Sequence, residues 1–179
     1  MGTSEGTATA PLDLLVIAAS NGANLQLAQR FAAAAAAQGL ESRVVDLVAL
    51  DLPLFTPLAQ TAGTPPGVPA LQGQLAAAAR WVICAPEYNG SIPPVLTSAI
   101  AWLSVQGDDF RALFNCRPIA IATHSGGGGA TALMALRLQL AHLGAHVVGR
   151  QVLSNNANPA KDASIADVLA RLDQLQATD

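Results

Sequence analysis

Charge is scarce in this chain. Only 12% of its 179 residues are Asp, Glu, Lys or Arg, no run of Lys or Arg occurs, and the formal net charge is -3. Nucleic-acid binding rests on neutralising phosphates, so this composition argues against such a partner. Cysteine is nearly absent. Cys84 and Cys116 are too few for a disulfide framework. Each lies in or just before an apolar run, where a small core residue is expected, and a reducing, cytoplasmic setting fits. A secretory signal is missing too: residues 1–11 have neither a basic start nor an apolar centre and read as a disordered polar leader. Gly2 does not bring a myristoylation signal, because Gly6 stands where Ser or Thr is required.

Nor is there a usable membrane span. Mean hydropathy is positive at +0.38, but alanine supplies much of it. One long uncharged stretch, 88–107, contains Asn89, Pro93, Pro94, Ser98, Ser104 and Gln106, polar groups and breakers that lipid would not tolerate. What is present is apolar content at 51%, too much for disorder, in a length that suits one core. Residues 12–179 are therefore expected to form a single domain.

Short apolar runs alternate with helix-forming stretches. The runs at 14–18, 43–47, 81–85 and 118–123, with a fifth inside 146–153, read as buried strands. Helices are expected at 25–38, where alanine dominates and Gly39 follows as a C-terminal cap, and at 70–80, 95–103, 130–143 and 165–174. The Pro93–Pro94 pair is pre-organised to open the third of these. Residues 51–69, with five prolines and two glycines, read as an extended surface connection. Strands alternating with helices imply an α/β fold with a parallel sheet covered by helices on both faces. Five strands in this length match the doubly wound order 2-1-3-4-5, in which a crevice opens at the carboxyl ends of strands one and three. Function is expected in the loops after strands one, three and four.

The first of those loops holds Ser20, Asn21, Gly22, Ala23 and Asn24 at a helix start, where free N–H groups and the helix dipole favour an anion. An ordinary helix cap would use the same residue types. The second, Pro86-Glu87-Tyr88-Asn89-Gly90-Ser91, combines a stiff residue, a permissive one, an aromatic and an amide, the parts needed to present main-chain amides to a flat heteroaromatic ring. A bare turn at a strand end would need only the proline and the glycine. The third, Thr123-His124-Ser125 followed by Gly126 to Gly129, spends backbone entropy that a closely approaching group would justify, or else is a flexible connection. It is no P-loop, because no Lys-Ser or Lys-Thr follows the glycines. The dinucleotide fingerprint belongs after the first strand rather than the fourth. His142 and His146 have the spacing of half a zinc site, but Gly144 separates them and no further ligands complete a set, so no metal is expected. Trp81 and Trp102 fall on apolar faces as core residues.

Pro-Glu-Tyr-Asn-Gly-Ser-Ile-Pro-Pro-Val-Leu, at 86–96, resembles the motif of the NADPH-dependent FMN reductase family, the flavodoxin-like quinone, chromate and azo-dye reductases. Asp51-Leu52-Pro53-Leu54-Phe55, Ser125-Gly126-Gly127 and Leu143 to Val148 extend the resemblance over 14–152. It implies a flavodoxin-like doubly wound sheet and FMN as cofactor. Ser20, Asn21, Asn24 and Leu25 would lie around the phosphate, and Pro86, Glu87, Tyr88, Asn89, Gly90 and Ser91 along the ring and ribityl chain. His124, Ser125, Gly126 and Gly127 would border the ring from the other side. The resemblance also implies a homodimer or homotetramer, with the helix after Ser91 near the contact. One departure stands out: the family's first loop is longer and carries an arginine, which is absent here. Phosphate would then rest on amides, hydroxyls and the helix dipole. The function so implied is an oxidoreductase passing electrons from NADPH or NADH, through FMN, to a small acceptor such as a quinone, azo compound, metal oxyanion or free flavin. The alternative is an electron carrier or a flavin-free binding protein. No side chain is expected to act as nucleophile or base.

Overall fold

The computed structural model describes residues 12–175; the expected leader lies outside them. In chain order the elements are β1 (Leu12–Ala18), α1 (Ala23–Ala36), β2 (Ser42–Asp46), α2 (Pro57–Ala62), α3 (Gly67–Ala77), β3 (Ala78–Cys84) and α4 (Pro94–Ser104). They continue with β4 (Pro118–His124), α5 (Ala130–His142), β5 (His146–Val147), β6 (Val152–Ser154) and α6 (Asp162–Asp173). All strand pairs are parallel, in the order β2-β1-β3-β4-β5, with β6 also on β4. This is the doubly wound, flavodoxin-like arrangement that the alternation of runs implies.

Strand residues alternate between two apolar layers. Leu15, Ile17, Trp81, Ile83, Ile119 and Ile121 face α3, α4 and α5, whereas Leu14, Val16, Val82, Cys84, Ala120 and Ala122 face α1 and α6. The second layer is built from smaller side chains, among them Ala18, Ala28 and Ala35. Small residues let α1 lie close to the sheet, and this is the use the fold makes of the alanine-rich stretch.

Three departures from the sequence-based reading have local causes. The stretch 51–69 is not wholly extended: Thr56 accepts a hydrogen bond from Ala59 N–H at 3.0 Å and Pro57 opens the first turn, so a short helix forms. Around it the chain is tied to α4, with Trp102 Nε1 donating to Pro53 O at 2.8 Å and Phe55 meeting the Trp102 ring edge-on. The helix expected to run to position 80 stops at Ala77, because Ala78 and Arg80 pair with Leu12 and Leu14 of β1 and sheet pairing outweighs alanine's helix preference. Arg80, thereby buried, pairs with Asp173 at the end of α6. The fifth strand is split. Arg137 donates to Val148 O at 2.7 Å and to Gln151 Oε1 at 3.0 Å, holding the outward excursion at Gly149 and Arg150.

Cys84 is a core residue as expected, but Cys116 is exposed, in a left-handed turn at φ 57°. Burial pushes the Cys84 thiol far above its ordinary pKa. A thiol reagent should therefore label one cysteine in the native chain, Cys116, and both only in denaturant, as read by mass spectrometry. Rapid native labelling of Cys84 would contradict this packing. The junction between β4 and α5 supplies a second expectation. Gly129 sits at φ 73°, and a Cβ there would lie 2.6 Å from Thr123 Cγ2. Gly129→Ala should cost about 1–3 kcal/mol, as overpacking does, visible as a lowered midpoint in thermal unfolding.

Candidate functional site

The carboxyl ends of β1, β3 and β4 bring the three expected loops to one edge of the sheet. Ala18 is level with Cys84 on β3, and Ala19 N–H donates to Cys84 O, so the first two loops leave side by side. The third is joined to each of them by named bonds.

Asn24 makes the first joint. Its side chain is 2% exposed, Nδ2 donates to His124 O at 2.9 Å, and Oδ1 accepts from His124 N–H at 2.8 Å. The reason lies in the sheet. β3 serves β4 as far as Ala85, whose N–H donates to Ala122 O. Pro86 then turns away and brings no N–H of its own. His124 would be left with an unpaired donor and acceptor, and the amide of Asn24 stands in for the missing strand. The side-chain oxygen of Asn24 and one of its amide N–H groups are thus engaged inside the protein.

Ser125 makes the second joint. It is buried, its Oγ accepts from Glu87 N–H at 2.7 Å, and it lies 2.9 Å from Thr123 Oγ1. Glu87 Oε2 accepts from Ala132 N–H at 3.1 Å, in the first turn of α5, where a carboxylate offsets the positive end of the helix dipole. Beyond it, Tyr88 and Ser91 exchange two main-chain hydrogen bonds of 3.1 and 3.0 Å. Asn89 at φ 52° and Gly90 at φ 71° form the two left-handed positions of a type I′ turn, for which Asn-Gly is the favoured pair. Gly90 is thus required by backbone conformation; a Cβ on it would meet nothing within 4 Å. Tyr88, Asn89, Gly90 and Ser91 are exposed, and Pro86 is buried.

The glycine run divides by role. Gly128 and Gly129 have positive φ, and the group that approaches Gly129 is Thr123 of the protein itself. Gly126 and Gly127 are exposed; a Cβ on Gly127 would lie 3.6 Å from Glu87 Oε1.

An open cleft of about 490 Å³ lies at this edge, lined by Ala23, residues 124–126 and residues 155–157. The turn 88–91 does not line it, and neither do Ser20, Asn21 or Leu25. At its Ala23 side α1 begins without a side-chain cap and without an acid in its first turn. The first helical bond is Gln26 N–H to Gly22 O, which leaves the N–H groups of Ala23, Asn24 and Leu25 as the helix's free donors. Arg30 cannot help: it is tied to Ala160 O at 2.8 Å and Asp162 Oδ1 at 2.6 Å. The sequence reading missed Asn155, Asn156 and Ser154, which follow or end the last strand. The signal was available in the Asn-Asn-Ala-Asn-Pro run, since every strand of a parallel sheet sends its following loop to the same edge.

The family model for NADPH-dependent FMN reductases matches residues 12–159. Over 117 residues the chain is 38% identical to a quinone reductase of Escherichia coli (strain K12), covering 61% of this chain and 61% of that protein. It is 34% identical over 115 residues to an NAD(P)H-dependent FMN reductase of Pseudomonas aeruginosa, covering 63% and 60%. Both matches thus span less than two thirds of the relative's length. Among solved structures the fold is similar to that of FerB, a flavoenzyme NAD(P)H:(acceptor) oxidoreductase from Paracoccus denitrificans, with a TM-score of 0.72 at 21% identity over 92% of this chain and 97% of that one. A family match that starts at β1 and ends past β6 means that this chain belongs to the NADPH-dependent FMN reductase family.

Proposed function

We propose that this chain binds FMN across the three loops and uses it to carry electrons from NADPH or NADH to a small acceptor: a quinone, an azo compound, a metal oxyanion or free flavin. The observation that carries this reading is that Asn24–His124 and Ser125–Glu87 bonds fix the three loops to one another around an open edge with uncapped helix donors. Bound FMN would supply two-electron chemistry, accepting hydride and passing it on. The chain's part is to bind and position. The free N–H groups at the start of α1 hold the anionic end. The main chain of Glu87, Tyr88 and Asn89 meets the polar edge of the ring, stiffened by Pro86 and the type I′ turn. Gly126 and Gly127, lacking side chains, let main-chain N–H groups approach from the β4 side. Ser20, Asn21 and Leu25 flank the anionic end, and Gly90, Ser91, His124 and Ser125 complete the proposed contact set. Glu87 is held at both ends, its carboxylate by Ala132 N–H of α5 and its own N–H by Ser125 Oγ.

Two copies or four would assemble through the α4 side, and free Cys84 and Cys116 suit a reducing, cytoplasmic setting. Among the described residues no helix is long and apolar enough to cross a membrane. The second reading, a flavin-free binding protein, draws on the commitment of Asn24 and Arg30 to internal partners.

Purified protein should be yellow and should oxidise NADPH or NADH with ping-pong kinetics against a quinone panel. If FMN is lost in purification, adding it at about 100 times its dissociation constant should stabilise the fold by about 2.7 kcal/mol. Colourless protein whose melting FMN does not move would overturn the flavin reading. Substituting Gly90→Val strains the exposed turn without touching the core, so flavin retention should fall while far-ultraviolet circular dichroism stays that of the parent and the melting midpoint drops only slightly. Undiminished FMN binding in that variant would remove the 86–91 turn from the site.

A further inference from the structure

We propose that the phosphate of the bound flavin is received by His124 and Asn156, which take the place of the arginine that the first loop lacks. This rests on the flavin reading above and assigns His124 to the phosphate rather than to the ring.

The argument starts from the cleft of about 490 Å³ between the start of α1 and the loop after β6. Its lining contains no carboxylate, and His124 is the one side chain there that can carry positive charge. A phosphate monoester is therefore met without repulsion. The free N–H groups at Ala23 open on the same space. They give the site its neutral donors, but no charge.

The imidazole is held on one side and available on the other. Ser154 is 2% exposed, and its hydroxyl donates to Thr123 O at 2.8 Å. Having spent its single proton, Ser154 Oγ meets His124 Nδ1, 3.3 Å away, as an acceptor. Nδ1 is thus engaged as a donor to Ser154, and Nε2 is left for other partners. That nitrogen lies 3.1 Å from Asn156 Oδ1, a residue of the cleft wall. Nε2 is thus the ring nitrogen turned to the cleft, and the exposed Asn156 amide beside it can turn to offer its N–H groups to a second phosphate oxygen. His124 main chain is meanwhile pinned by Asn24, so the ring is presented from a fixed backbone. Charged groups around the ring leave it this role. Arg30 is paired with Asp162 on the far side, where a smaller cleft of about 180 Å³ shares His124 and Ala23, and Glu87 is engaged with α5.

The test compares FMN with riboflavin, which has the same ring and no phosphate, by quenching of flavin fluorescence in the parent, His124→Gln, Asn156→Ala and the control His142→Gln. The parent should bind FMN more tightly than riboflavin. His124→Gln should weaken FMN by about tenfold or more, the worth of one hydrogen bond to a charged group, and Asn156→Ala by a smaller factor. Riboflavin affinity should stay constant in both, and His142→Gln should behave as the parent. Asn156 is exposed, so its truncation leaves the fold intact and keeps the test open should His124→Gln unfold. Unchanged FMN affinity in both variants overturns the assignment, as does an equal loss of FMN and riboflavin, which would place these residues at the ring. A parent chain that takes up neither flavin overturns the flavin reading itself.

Discussion

A single carboxamide joins the first helix to the end of the fourth strand. Asn24 offers one donor and one acceptor to the main chain of His124, in the manner of a neighbouring strand, where β3 has already departed. Asn24 is buried, so a side chain there lacking either half would leave a main-chain group of His124 without its partner, at a cost of about 1–3 kcal/mol where water does not replace it. Through this joint the start of α1, with its uncapped donors, is fixed against the loop that carries Ser125. Ser125 in turn fixes Glu87 and the base of the 88–91 turn. The geometry of the edge is therefore set by bonds within the protein.

Much of this fold was legible in the sequence because its signals are local. Apolar runs such as 14–18 and 118–123 give buried parallel strands, and alternation alone narrows their order. What was not legible depended on partners distant in sequence. Nothing near Ala77 marks the end of α3, because the determinant is pairing with Leu12. The split of the last strand comes from Arg137 on a preceding helix. By contrast, Thr56-Pro57 was a readable start for α2 that the surrounding prolines obscured.

The site shows the same division. The residues expected to gather did so at Asn24, Glu87, His124 and Ser125, but as contacts with one another rather than as free side chains aimed at a ligand. The four consecutive glycines looked like one feature and are two: Gly128 and Gly129 answer to backbone conformation and Thr123, while Gly126 and Gly127 border open space. Asn-Gly at 89–90 is explained by turn chemistry, without any ligand. Asn155 and Asn156 reach the same edge from the loop after β6.

The interrupted outer strand has a consequence for how copies of this chain can meet. Beside β4 run two segments of two and three residues, with exposed Gly149 and Arg150 between them. The opposite border, β2, is five residues long and carries Arg43 and Asp46. Neither border offers a long, flat, uncharged row of main-chain donors and acceptors onto which another chain could zip. Sheet-to-sheet extension, and the fibrous growth it invites, is thereby disfavoured at both borders.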